Sequence, residues 1–278
     1  MIQENSLQEF VITKVTENGI TTMPDLVTIE TALGIEILYS TSKGLMRKNL
    51  AVTMRTPGND EELIAGFLFT EGIVNNQQAI AGFKKATGDN NKIQAILKEG
   101  VLPVLSNTER NFYVTSSCGI CGKASIEQIS SLSAFSDIPD ACRIQKEKLL
   151  NLPSILRDGQ LSFSQSGGIH ACGLFYIVDE TMLIREDVGR HNALDKLIGT
   201  ALLQQKLPLL EHILLLSGRA SFELIQKAVM AGIRIVAAVG APSSLAIELA
   251  IENQITLVGF LRDRRFNIYS CPERIILN

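Results

Sequence analysis

The chain has no apolar run approaching the ~20 residues that a bilayer-crossing helix needs, so no membrane span is expected. Its N-terminus, Met1-Ile2-Gln3-Glu4-Asn5, offers neither a basic segment nor an apolar one, and no secretory signal is expected there. Net charge is only −3, which gives no bulk field for nucleic acid; any anion site must be built locally. Cysteine is sparse and odd in number. The five thiols (Cys118, Cys121, Cys142, Cys172, Cys271) contain one close pair, which argues against a disulfide framework and for reduced thiols in the cytoplasm. There is no internal repeat and no low-complexity tract. What remains is a 278-residue chain, 46% hydrophobic and 20% charged, long enough for one large globular domain or two modest ones.

The first half reads as mixed α+β. Residues 9–16 and 26–39 read as strands, and Arg55-Thr56-Pro57-Gly58 as a turn into a helix. Asn59 or Asp60 can cap that helix, Glu61 and Glu62 suit its positive end, and Gly72 is placed to end it. Asp89-Asn90-Asn91 reads as a surface turn, and Asn111 to Thr115 as a strand. From about residue 145 the pattern becomes regular. A helix at 147–158 precedes strands at 170–178 and 181–187 and a helix after Gly189. Then come strand 212–217, helix 221–231, strand 233–239, helix 243–252, strand 255–261 and a short strand from Phe266 to Tyr269. Alternating strands and helices predict an α/β fold with a largely parallel, helix-covered sheet. A linker near Asp137 to Glu147, with Pro139, divides the chain into 1–144 and 145–278.

Two cysteines at C-x-x-C spacing, Ser116-Ser117-Cys118-Gly119-Ile120-Cys121-Gly122, are the clearest chemical signal. They could form half of a zinc site, but a structural zinc needs four ligands and the other candidates (Cys142, Cys172, His170, Cys271) are scattered singly. They could form a thioredoxin-like redox pair, though the glycines after each cysteine weaken a helix starting there. Or they could carry a sulfane sulfur as a persulfide, by the same thiolate-on-sulfur attack as disulfide exchange, with Lys123 depressing the thiol pKa.

Five further segments carry polar or glycine residues at the ends of predicted strands, the usual place for an α/β ligand crevice. In Arg185-Glu186-Asp187-Val188-Gly189-Arg190-His191-Asn192, the residues Asp187, Arg190, His191 and Asn192 are candidates, while Asp195 and Lys196 read as a solvated helix face. Ser217-Gly218-Arg219 could make an anion pocket with the amides that follow. Ala241-Pro242-Ser243-Ser244 has the same placement but reads as ordinary capping. Ser166-Gly167-Gly168-Ile169-His170 permits close backbone approach to a ligand. Phe260-Leu261-Arg262-Asp263-Arg264-Arg265 brings three arginines beyond a strand end, either to grip phosphates or as a solvated hairpin turn.

In this order, these segments resemble the FdhD family of sulfurtransferases required for formate dehydrogenase activity. The likeness is carried by Arg55-Thr56-Pro57-Gly58 with Glu61, Leu63, Gly66, Phe67, Leu68, Glu71 and Gly72, by the Cys118–Gly122 loop, and by the Asp187-to-Lys196 run. Ser166–His170, Ser217–Arg219, Ala241-Pro242-Ser243 and Gly259–Tyr269 complete it, so that it spans roughly residues 50–270. The resemblance implies a cytidine-deaminase-like three-layer α/β domain in the second half beside a smaller α+β N-terminal domain. It also implies a persulfide on Cys118, with Cys121 as transfer or resolving partner. The sulfur comes from a cysteine desulfurase and goes to the molybdenum, or tungsten, of a bis(molybdopterin guanine dinucleotide) cofactor, bound as substrate, for the formate dehydrogenase catalytic subunit. A homodimer and no structural metal are expected. The implied cofactor-binding residues are Phe260, Leu261, Arg262, Asp263, Arg264, Arg265, Ser217, Gly218, Arg219, Asp187, Arg190, His191, Asn192, Gly167, Gly168 and His170, with Asn192, Asp187 or Asp263 meeting the guanine edge. Deamination is not implied. That chemistry needs H-x-E and P-C-x-x-C, whereas Ser117 holds the proline position and Cys172, Ala193 and Leu214 stand two residues beyond the three histidines. Cys172 departs from the small residue expected there. A cofactor chaperone without sulfur chemistry and a zinc-stabilised binding module are the alternatives.

Overall fold

The computed structural model describes residues 6–86, 88–105, 112–114, 135, 138 and 142–278; Cys118 and Cys121 lie outside these described residues. In chain order the elements are β1 (Leu7–Thr16), β2 (Gly19–Thr28), β3 (Thr31–Thr41), β4 (Gly44–Arg55), α1 (Asp60–Thr70), β5 (Ile80–Ala86), β6 (Asp89–Leu97) and β7 (Phe112–Val114). They continue with β8 (Ile144–Gln145), α2 (Lys146–Gly159), α3 (Leu161–Ser166), β9 (His170–Tyr176), β10 (Thr181–Asp187), α4 (Arg190–Leu203), β11 (His212–Leu216) and α5 (Phe222–Met230). The last are β12 (Ile235–Ala238), α6 (Ser244–Glu252), β13 (Thr256–Arg262), β14 (Arg265–Ser270) and β15 (Ile275–Ile276). Among the described residues no helix is long and apolar enough to cross a membrane.

The second half builds a six-stranded sheet of order β10-β9-β11-β12-β13-β14. Its strands alternate side chains between two faces. Ile213, Leu215, Ile235 and Ala237 meet Leu149, Leu152 and Leu156 of α2 on one face. Leu214, Leu216, Val236 and Ala238 meet Leu194, Leu197, Leu224 and Ile225 of α4 and α5 on the other. The result is a three-layer α/β arrangement, as expected. The sheet is mixed rather than largely parallel: only β11–β12 and β12–β13 run parallel. β9 and β10 precede the first crossover helix and close on each other as a hairpin, Tyr176 opposite Thr181.

The first half builds a five-stranded sheet of order β5-β6-β3-β4-β7. Strand 26–39 of the sequence reading is two strands, broken after Thr28, and the expected turn at Asp89–Asn91 is the start of β6, because Gly88 at φ +82° does the turning. Neither β4 nor α3 was legible. In β4, Leu45 and Met46 are exposed at the hairpin end while Leu50 and Ala51 are buried, so no clean alternation shows. At α1 the Asn59 side chain makes no capping bond; Asp60 instead forks onto Arg55, with Nε–Oδ1 2.8 Å and Nη2–Oδ2 3.0 Å.

α1 lies between this sheet and α4. Leu63, Ile64 and Leu68 share one core with Leu33, Ile35 and Ile37 of β3 and with Leu194 and Leu197 of α4, so that core runs through both halves of the chain. The two helices cross with their backbones touching. A Cβ on Gly66 would sit 1.9 Å from the Asp195 carbonyl oxygen, and one on Gly199 would sit 1.8 Å from that of Glu62. Of the linker expected at 137–147, residues 137 and 139–141 lie outside the described set, and the rest leads through β8 into α2. Among the described residues β1 and β2 pair only with each other, as a separate two-stranded sheet.

Candidate functional site

β9 runs against both β10 and β11, so the start of β9, the end of β10 and the ends of β11, β12 and β13 all lie at one edge of the six-stranded sheet. Gly167–His170, Asp187–Asn192, Ser217–Arg219 and Phe260–Arg265, far apart in sequence, therefore gather there. Backbone bonds tie these turns together: Gly240 N donates to Gly218 O (2.9 Å) and Phe260 N to Gly240 O (3.0 Å). Phe260 takes a left-handed φ of 53° at a register shift in β13, a strain that bulges beside sites commonly hold. Asp263 and Arg264, with φ of 53° and 55°, link Arg262 to Arg265 as a two-residue hairpin loop with both φ positive, placing exposed arginines on its rim.

A crevice of about 710 Å³ opens at this edge. Of the expected site residues, Gly167, Gly168, His170, Ser217, Arg262 and Asp263 line it. Its other wall comes from α2 and α3, which the sequence did not suggest: Pro153, Arg157, Gln160 and Phe163, with the Arg157 guanidinium 4.4 Å over the Phe163 ring. Glu186 fixes that wall by accepting from the Ser162 and Phe163 amides (2.9 Å each), and Gly167 at φ +66° ends α3 so that Gly168 reaches the crevice. A glutamate one residue before Asp187 was a visible signal, but its helix-capping target was not.

The remaining expected residues have other places. Asp187 and Asn192 form a buried knot behind the crevice. Asp187 accepts from Thr56 N (3.1 Å), Gly189 N (2.8 Å) and Asn192 Nδ2 (3.1 Å) and pairs with Lys196 Nζ (2.7 Å). Asn192 also accepts from Thr53 Oγ1 (3.1 Å) and donates to Met54 O (2.7 Å). Lys196 donates to Thr56 O (2.9 Å), and Thr56 Oγ1 accepts from Val188 N (3.1 Å). The Arg55–Gly58 turn is thus bolted to the Asp187 run. Lys196 and Asp195 are not a solvated face; both are buried, and Asp195 pairs with Lys227 at 2.9 Å while accepting from Thr70 Oγ1. Leu261 is buried in the core under α2, Arg219, Arg264 and Arg265 are exposed, and Phe260 is half-buried. Ser243 caps α6 by accepting from Ala246 N (3.3 Å), the ordinary role read from the sequence.

Arg190 begins α4 beside His170, and its Nε is buried without a hydrogen-bonding partner among the described residues. Arg190 is not itself among the residues that line the crevice. Gly218 backs the His170 ring; a Cβ there would stand 3.5 Å from Nδ1. Burial first, then the charges of Arg190 and His191, push the His170 pKa down, so at neutral pH the ring is uncharged and offers one donor and one acceptor. His191 lies 3.4 Å from Ser221 Oγ and 3.8 Å from Glu223.

The His191 hydrogen bond, ahead of the opposing effect of burial, holds the Glu223 carboxyl at about 2. A carboxyl whose folded pKa lies below its unfolded value stabilises the fold above the unfolded pKa, and that contribution is lost as pH falls toward the folded one. Glu223→Gln should therefore flatten the acid limb: between about pH 6 and pH 3 its melting temperature should fall less than that of the wild type. Parallel melting curves for the two proteins would count against this pairing.

Among the described thiols, Cys172 is buried, with Sγ 3.9 Å from Arg190 O, and burial pushes its pKa far up. Burial also raises Cys271, and Cys142 is buried. These are poor nucleophiles, and Cys172 carries no chemistry that its position supports.

A mixed, helix-covered sheet with a crevice at its strand ends makes this a three-layer α/β protein, and strand ends are where such folds commonly hold ligands. More narrowly, residues 41–276 match the FdhD/NarQ family, and the chain belongs to that family. It is 48% identical over 233 residues to the sulfur carrier protein FdhD of Mycolicibacterium paratuberculosis, covering 81% of this chain and 86% of that one. To the sulfur carrier protein FdhD of Streptomyces avermitilis it is 45% identical over 274 residues, 96% and 94% of the two chains. Its fold is similar to the crystal structure of a Desulfotalea psychrophila protein described as a formate dehydrogenase accessory protein, with TM-score 0.74, 24% identity, and coverage of 98% and 100%.

Proposed function

We propose that this chain is a cytoplasmic sulfurtransferase that moves sulfur from a cysteine desulfurase to a molybdenum bis(molybdopterin guanine dinucleotide) cofactor destined for formate dehydrogenase, working as a homodimer. The observation that carries this reading is the crevice, where Gly167, Gly168, His170, Ser217, Arg262 and Asp263 meet in a chain whose relatives are named sulfur carriers. Phosphates suit the exposed Arg219, Arg262, Arg264 and Arg265, with Arg190 beside His170 behind them. Asp263, whose side chain is exposed, is the guanine-edge candidate whose bonds are not spent inside the fold.

The Cys118 thiolate attacks the outer sulfur of the desulfurase persulfide; the desulfurase thiolate leaves and Cys118 holds the persulfide, with no net change in oxidation state. Attack of the Cys121 thiolate on the Cys118 sulfur then expels hydrosulfide to the metal. The two cysteines are left as a disulfide, which a cellular thiol reduces.

The test is to incubate the protein with a cysteine desulfurase and cysteine and weigh it by mass spectrometry. The wild type should gain one sulfur, and a Cys118→Ala, Cys121→Ala double variant should gain none. No gain on the wild type, or an unchanged gain on the double variant, overturns the proposal. A Cys118→Ala variant that still activates formate dehydrogenase in cells would favour a chaperone. Stoichiometric zinc lost with Cys118 would favour a metal-held module.

A further inference from the structure

The β1–β2 hairpin is long and regular, and among the described residues only α3, at its root, packs closely on it. Ten residues of each strand pair in register from Leu7–Thr28 to Thr16–Gly19. Alternation sends Val11, Val15, Ile20 and Pro24 to one face and Phe10, Ile12, Met23 and Val27 to the other. Each face sets these apolar side chains among threonines and a few charges, yet Val11 is 76% exposed, Ile20 71%, Val15 70% and Phe10 48%. Two-stranded hairpins are marginal in water without a third layer, and a contiguous apolar patch of this kind marks an interaction surface. Glu9, Lys14 and Asp25 are the only charges on the two faces, so neither an anionic membrane nor nucleic acid is selected. Pro24 removes a donor from β2, which works against adding further strands at that edge. The faces, not the edges, are on offer.

We propose that this hairpin is an arm exchanged between two copies of the chain, each arm lying against the Ile155–Leu161 patch of the other copy. Ile155 and Leu161 are 40% and 38% exposed. They stand beside the arm's own root, where Thr28 Oγ1 bonds Ser166 Oγ (2.7 Å) and Ser6 Oγ bonds Ser162 Oγ (3.4 Å). Arm and seat thus belong to one patch, as a two-fold interface requires. The area also suits. A strand of ten residues is ~33 Å long and a two-stranded ribbon about 10 Å wide, so one face of each of two arms, together with what it covers, buries on the order of 1,300 Å², within the range of a specific interface. The root is also the crevice rim: a Cβ on Gly168 would lie 3.8 Å from Thr28 Oγ1. Clasping the arm would therefore hold the Gly167–Gly168 floor. This inference rests on the homodimer reading above, and the experiment separates the two.

Sedimentation equilibrium of the full chain should show a dimer. The double variant Val15→Lys, Ile20→Glu keeps the hairpin paired, because these residues are directly opposite, but makes that face polar. It should weaken the dimer by ~100-fold or more, as loss of an interface anchor does. Leu161→Glu, which changes the seat and no residue of the arm, should do the same. A wild type that is monomeric at about 50 μM overturns both the dimer and the arm. A wild-type dimer that both variants retain overturns the arm alone, and one that only Leu161→Glu retains overturns the seat.

Discussion

Lys196→Met should lower the stability of the fold by roughly 3–5 kcal/mol, the cost of leaving one partner of a buried ion pair alone. Lys196 and Asp187 are both fully buried, with Nζ 2.7 Å from Oδ2. Burial pushes the Asp187 pKa up, and the Lys196 ammonium is the largest opposing influence. Methionine fills much of the lysine stem's space but brings no charge, so the stranded carboxyl takes up a proton in the folded chain. A carboxyl with a raised folded pKa binds a proton that the unfolded chain has released, so stability falls as pH rises above the unfolded value near ~4. The deficit of the variant should thus shrink from about pH 8 toward pH 5. Adding Asp187→Asn should recover part of it, because the amide oxygen still accepts from the Thr56 or Gly189 amide. Urea denaturation across this range decides the matter: a pH-independent deficit below ~1 kcal/mol, as for a surface pair, contradicts it.

Gly199→Ala should be comparably damaging, at or above the ~3 kcal/mol upper end of ordinary overpacking. Elsewhere an exchange of glycine for alanine in a helix stabilises by up to ~1 kcal/mol through the unfolded state. Here the added methyl would stand 1.8 Å from the Glu62 carbonyl oxygen and 2.8 Å from the Gly66 nitrogen, and backbone cannot rotate away. The helices must separate, which strains the Arg185–Glu62 fork (2.6 and 2.9 Å) and the Thr70–Asp195 bond (2.8 Å). Gly66→Ala should behave likewise. If either variant melts within a degree or two of wild type, the close crossing is wrong.

These two predictions concern features that the sequence conceals. Ile213 to Leu216 and the other apolar runs of the second half announced their strands, because a buried strand needs little beyond β-branched and aliphatic residues. Arg262, Asp263, Ser217 and the Gly167-Gly168 pair announced the crevice, because polar and glycine residues at strand ends have few other reasons to cluster. Lys196 was misread for a physical reason. Its partners, Thr56 and Asp187, come from opposite halves of the chain, and a lysine that will be desolvated by a contact 140 residues away looks like any surface lysine. Arg157 and Phe163 were invisible for a similar reason: an exposed-looking arginine near a helix end gains meaning only when the following turn folds the ring beneath it.

The quiet thiols have a consequence of their own. Sulfane sulfur passes readily to any thiolate it meets, at rates set by thiolate fraction and access. With Cys142 and Cys172 shut in the core and Cys271 kept protonated by its surroundings, a sulfane sulfur on Cys118 or Cys121 would find no foothold at these three positions. The fold insulates the carrier from itself, so leakage is left to competition from outside thiols.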